Sequence, residues 1–198
     1  METIRFYLEL GVFHVLDLEG YDHVLFMVAL ALPYAFKSFV RLLLLATAFT
    51  VAHTLSLALA AFNLFKIDPG IIEFLIPVTI ALTALYNLIV YEADHRQGSF
   101  NLQLVATVFF GLIHGFGFSN YFRMIMGGED QKATALLGFT LGIETAQLLV
   151  ILATLAFSAI ANKLLSNRHP LLVRLISALI LLISFKIALE AAPAGWFG

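Results

Sequence analysis

The sequence predicts an all-α, polytopic integral membrane helix bundle, and three observations predict it. Of 198 residues, 61% are apolar and only 12% are charged, with a mean hydropathy of +0.96; soluble domains run at about 45–50% and about 25%. The apolar residues fall in several runs close to the ~20 residues that cross a ~30 Å hydrocarbon layer. Gly, Ser and Thr recur at helical spacing inside those runs, which suits close helix packing in lipid. The lipid bilayer is therefore the first partner.

Polar punctuation divides the chain into six spans. The first runs from about Tyr21 to Phe36, and the apolar stretch before it, Phe6 to Leu18, forms a seventh element that lies at the interface or dips into the membrane as a re-entrant helix. The second runs from Val40 to Phe65, the third from Ile71 to Tyr91, the fourth from Phe100 to Phe122. The fifth, Ala133 to Leu164, exceeds what a bilayer requires and must tilt or protrude. The sixth runs from Leu171 to Ala192. Connections are short, no fixed-period repeat occurs, and residues 1–198 read as one transmembrane domain. Gly111 and Gly115 form a G-x-x-x-G, by default a packing signal and alternatively a homo-oligomer contact. The first residues lack the positive flank and cleavage site of a secretory signal, so none is subtracted.

Charge and cysteine content exclude several classes. Net charge is −2 and no basic cluster offers a phosphate-binding footprint, so nucleic acid is not a partner. Cysteine is absent, which removes disulfides, thiolate metal sites and cysteine nucleophiles. Any metal site must draw on His, Asp and Glu. Six spans place Arg5, Lys66, Arg123 and Lys132 on the N-terminal side, against Lys37, Arg41, Arg96, Lys163, Arg168 and Arg174 on the other. The positive-inside rule then puts both termini outside the cytoplasm.

Ionisable residues are costly within lipid, roughly 2.5–3.5 kcal/mol each at the bilayer centre, so those present mark a polar interior. They are His14, Asp17, Glu19, Asp22 and His23 around the first span, His53 in the second, Glu73 in the third, His114 in the fourth, Glu144 with Gln147 in the fifth, and Lys186 in the sixth. Because successive helices alternate direction and rise ~1.5 Å per residue, depths can be compared. Asp22, His23 and Glu73 lie at span starts on the N-terminal side; His53 is roughly 18 Å, His114 ~12 Å and Glu144 ~17 Å from it. Five helices thus offer a His or carboxylate to the same half of the membrane. Thr47, Thr50, His53 and Thr54 form one polar stripe, and Thr140, Glu144 and Gln147 another, which predicts a common interior. Thr79, Thr83 and Asn87 add a third stripe reaching towards the opposite side.

Three or more His with one or two carboxylates and no sulfur suit a divalent ion: nickel, zinc or similar. Asp22 can ligate directly or orient the neighbouring imidazole. Asp17, Glu19, Glu73, Thr50 and Gln147 are candidates for supporting ligands or lining a pathway. Each has a plainer reading: Asp17 and Glu19 as interfacial charges, Glu73 as a helix N-terminal charge, Lys186 as a snorkelling surface group. His95 and His169 fall in connections and are expected to be solvated, and the many Phe residues face lipid or pack. Two activities fit the cluster. One is cation transport; the other is an intramembrane metal-dependent hydrolase of a lipid or membrane-bound substrate, with Glu144 or Glu73 as general base.

Five ordered strings carry a resemblance. Gly11-x-x-His14, Gly20-Tyr-Asp22-His23-Val-Leu-Phe26, Phe49-Thr-Val-Ala-His53-Thr-Leu-Ser56, Phe110-Gly-Leu-Ile-His114-Gly-Phe-Gly-Phe118 and Gly142-Ile-Glu144-x-x-Gln147 resemble the HupE/UreJ family of bacterial membrane proteins. The resemblance implies a nickel or other divalent-metal permease or uptake accessory of the bacterial inner (cytoplasmic) membrane. By position it implies His14, Asp22 and His23 as the first metal motif, with His53, His114 and Glu144 following. Seven residues separate His14 from Asp22 where the family commonly has five. Either His14 keeps its place, or it is displaced and Asp17 or Glu19 fills in.

Overall fold

The computed structural model describes residues 2–17, 20–65, 67–94, 99–164 and 168–193. Glu19 and His95 lie outside the described residues. Seven α-helices follow one another: α1 (Glu2–Leu16), α2 (Asp22–Ala31), α3 (Phe39–Ala61), α4 (Pro69–Asp94), α5 (Phe100–Ile125), α6 (Lys132–Leu164) and α7 (His169–Glu190). Short 3-10 turns at Phe36–Ser38 and Met126–Gly128 link α2 to α3 and α5 to α6.

Five of these helices, α3 to α7, are long and apolar enough to cross a membrane. Their outer faces carry large exposed apolar side chains such as Leu82, Val105, Leu175 and Leu182. In water that surface would be costly; in a bilayer it is solvated by lipid tails. Helix α2 is different. Its ten residues rise only about 15 Å, half a hydrocarbon layer. It stops short of the Tyr21–Phe36 span expected from hydropathy because Pro33 follows, and proline cannot continue a helix.

Contacts between helices fix their relative directions. Gly138 lies against Ile4 and Tyr7, and Gly142 against Leu8 and Val12, so α1 and α6 run in the same direction. Gly111 meets Phe49 and Gly115 meets His53, which makes α3 and α5 parallel as well. Thr54 meets Thr140 while Thr47 meets Glu144, so α6 opposes α3. His23 lies beside His114 and Tyr34 beside Gln103, so the chain through α2 opposes α5 and runs with α1 and α6. Helix α1 ends at Leu16 and α2 begins at Asp22. Helix α1, the seventh element expected beside the six spans, packs along α6.

The tightest packing joins α3 with α5, α1 with α6, and α4 with α7. Helix α2 lies among these pairs, touching α6 and α4 most and α1, α3 and α7 less. Small residues make the first two pairs possible. An added Cβ at Gly142 would lie 2.2 Å from the Leu8 carbonyl oxygen, and one at Gly11 2.3 Å from that of Phe139. Gly111 and Gly115 are buried in the α3–α5 contact, so the G-x-x-x-G serves packing within the chain.

Candidate metal centre

The break between α1 and α2 assembles the first part of the site. On a continuous helix His14 and His23 would be nine residues, ~13.5 Å, apart along the axis. With the helix interrupted, their ring centroids are 4.7 Å apart. His14 thus stands beside His23 although seven residues separate it from Asp22. Asp17, at the break, is exposed and lines a surface depression of about 750 Å³ together with His14, Phe118 and Tyr121.

Helix α3 adds His53, fully buried, with ring centroids 5.8 Å from His14 and 5.5 Å from His23. One ligating atom from each of His14, His23 and His53 falls within 4.8 Å of the others. Helix α5 brings His114 to 5.1 Å from the His23 ring. The α3–α5 glycine contact is what allows this: Gly115 follows His114 directly and packs on the His53 backbone.

Hydrogen bonding orients two of these rings. The Asp22 carboxylate accepts from the His23 backbone N–H at 2.8 Å and lies 3.1 Å from His23 Nδ1. The Phe110 carbonyl lies 2.8 Å from His114 Nδ1. Both partner oxygens are acceptors, so each Nδ1 carries the proton and each Nε2 keeps its lone pair. The Nε2 atoms of His14, His23 and His114 and both ring nitrogens of His53 are buried without a hydrogen-bond partner. Buried polar atoms are rarely left so, because an unmade hydrogen bond there costs about 1–3 kcal/mol. Several lone pairs converging in one apolar-walled space fit a borderline divalent cation.

Aromatic rings form those walls. Phe118 and Phe139 lie 3.9 and 5.5 Å from His14, and Phe49 lies 5.8 Å from His23 and 5.2 Å from His114. Excluding water in this way strengthens the pull of any nitrogen lone pair on a cation.

The remaining sequence candidates are placed elsewhere. Glu144 is outside the cluster: Thr47 Oγ1 donates to its Oε1 at 2.6 Å. Gln147 accepts from Thr50 at 3.0 Å, and Thr54 pairs with Thr140 at 3.0 Å. The two polar stripes thus face each other as expected, in a seam between α3 and α6 that carries the unpartnered Glu144 Oε2. Glu73 is exposed on α4, away from the imidazoles. Lys186 is exposed and lies 3.6 Å from Glu190, in keeping with the snorkelling reading. His169, expected to be solvated, is half-buried with Nε2 3.0 Å from Ser158 Oγ. A group the sequence did not single out is Tyr34 with Arg41 and Gln103; an intramembrane amide was the available signal for it.

A family model described as HupE / UreJ protein matches residues 1–191. The chain belongs to the HupE/UreJ family. That makes it an integral membrane protein of a family associated with nickel and metal handling. No curated protein and no solved structure matches it. Within this HupE/UreJ chain the first motif is the one whose geometry is most fully supported by a carboxylate. Asp22→Ala is accordingly expected to weaken divalent-metal binding by about 10- to 100-fold, read by equilibrium dialysis with zinc, because the carboxylate that orients the His23 ring is lost.

Proposed function

We propose that this HupE/UreJ protein is a permease that takes a divalent cation, nickel or a close relative, across the bacterial inner membrane. The observation that carries the reading is the convergence of His14, His23 and His53 on one point with ring nitrogens unpartnered. The cation is cargo in this reading, held by those three imidazoles, with His114 adjoining and Asp22 fixing the His23 ring. The depression beside His14 and Asp17 supplies the approach, and the exposed carboxylate attracts cations to it. The six-to-four distribution of basic residues supports an approach from outside the cytoplasm. Hydrolysis would need a carboxylate poised beside the metal; Glu144, in the α3–α6 seam, and Glu73, exposed on α4, are not part of the His14–His23–His53 group.

The test is nickel uptake by the purified chain in sealed vesicles. Flux above protein-free vesicles supports the reading; bound nickel with no flux sinks it. Protons and metal compete for the same imidazole lone pairs, so binding is stronger at higher pH. Affinity is expected to fall as pH drops, measured by dialysis at several pH values. A pH-independent affinity would argue for oxygen ligands.

A further inference from the structure

The histidine cluster has an approach beside His14, and the opposite half of the bundle holds a separate cavity of about 200 Å³ between α2, α4 and α5. Its polar lining is amide and hydroxyl: Thr83, Tyr86, Asn87, Gln103 and Thr107. The last three are buried, and buried polar groups in a membrane span persist mainly where they serve a polar interior. Asn87 Nδ2 donates to the Ala29 carbonyl at 2.7 Å, which leaves its oxygen as an acceptor.

Only one layer of rings separates this chamber from the imidazoles. Phe26 stacks on Phe49 at 5.0 Å and meets Phe110 edge-on at 5.8 Å. On the cluster side Phe26 is 5.8 Å from His114, and Phe49 is 5.8 Å from His23. On the other side Phe26 and Phe110 line the chamber itself. We propose that a cation leaving the histidine cluster passes this Phe26–Phe49–Phe110 constriction into the Asn87 chamber, with Phe26 as the ring that turns aside. This route rests on the permease reading.

Phe26 is assigned because of where each ring is carried. Phe49 and Phe110 belong to α3 and α5, whose backbones are locked where a Cβ on Gly111 would lie 2.6 Å from the Phe49 carbonyl oxygen. Phe26 belongs to α2, a short helix that otherwise touches α3 little. The far end of the chamber carries positive charge: Gln103 Oε1 accepts from the Tyr34 hydroxyl and, at 3.0 Å, from Arg41 Nη2. The guanidinium lies over the rings of Tyr34 and Phe100, at 5.6 and 5.1 Å. With neutral oxygens on its walls and a cation at its end, the chamber holds a divalent ion weakly. Conduction needs a station the ion can leave.

The test compares nickel uptake into sealed vesicles by the unmodified chain, Phe26→Ala and Phe26→Trp, with nickel affinity measured separately by dialysis. Phe26→Ala is expected to raise uptake at least threefold and Phe26→Trp to lower it at least tenfold, both with affinity within threefold of the unmodified chain. No uptake by the unmodified chain, with nickel bound, overturns the permease reading and the route with it. Uptake by the unmodified chain that Phe26→Trp leaves unchanged overturns the route alone, and so does loss of nickel binding in that variant, since a gate lies outside the ligand set. A second readout uses the absence of native cysteine. Modification of a Thr107→Cys chain by a small thiol reagent is expected to slow at least threefold during nickel transport; an unchanged rate counts against the route.

Discussion

Gly115→Ala is expected to destabilise the protein by about 3 kcal/mol, at the upper end of overpacking costs. The added methyl would lie 2.2 Å from the His53 carbonyl oxygen and 2.1 Å from Ser56 Oγ. A serine hydroxyl could rotate away, but the His53 carbonyl is helix backbone and cannot yield without moving α3. Because Gly115 follows His114 directly and packs on the His53 backbone, the substitution is also expected to abolish high-affinity metal binding. Thermal unfolding in detergent, with Gly127→Ala as control, checks it. Nothing lies within 4 Å of a Cβ at Gly127, so that variant should unfold with the unmodified protein.

His53→Ala is expected to lower zinc affinity by more than about 100-fold while leaving the fold intact, exceeding the 10- to 100-fold range typical of losing an orienting partner. His53 is the ring with both nitrogens buried and unpartnered, so it contributes no hydrogen bond whose loss would compete with the loss of a ligand. Its removal creates a cavity beside Phe49 and Phe139, which costs stability of the order of 2–4 kcal/mol. His169→Ala, at a ring that contacts Ser158 outside the cluster, should leave zinc affinity within twofold. Equal loss in both variants would mean that the measured effect is unfolding rather than ligation.

The sequence made the membrane class and most helices legible because apolar runs have a length scale set by the bilayer. The place of α1 was harder to read. Residues 17–21 look like polar punctuation before a span, and only the contacts of α1 along α6 show that the residues before them already belong to the bundle. Depth reasoning placed His23, His53 and His114 in one half of the membrane, and the structure brings the rings of His53 and His114 to 5.5 and 5.1 Å from that of His23. It also grouped Glu144 with them, since height along an axis says nothing of direction around it. Glu144 faces Thr47, on a different part of the α3 surface from His53. The ring layer was invisible for a chemical reason: phenylalanine suits a lipid face and a packed interior equally, so Phe26 carries no mark that separates it from Phe13, which is exposed. The Tyr34–Arg41–Gln103 group joins residues far apart in the chain, and no local spacing announces it.

X-ray absorption at the zinc edge of the zinc-loaded protein tests most directly whether His14, His23 and His53 hold one cation together. Three imidazole nitrogens at about 2.0–2.1 Å are expected, falling to two in His53→Ala. A shell of oxygen ligands alone, unchanged in His53→Ala, would contradict a shared histidine site.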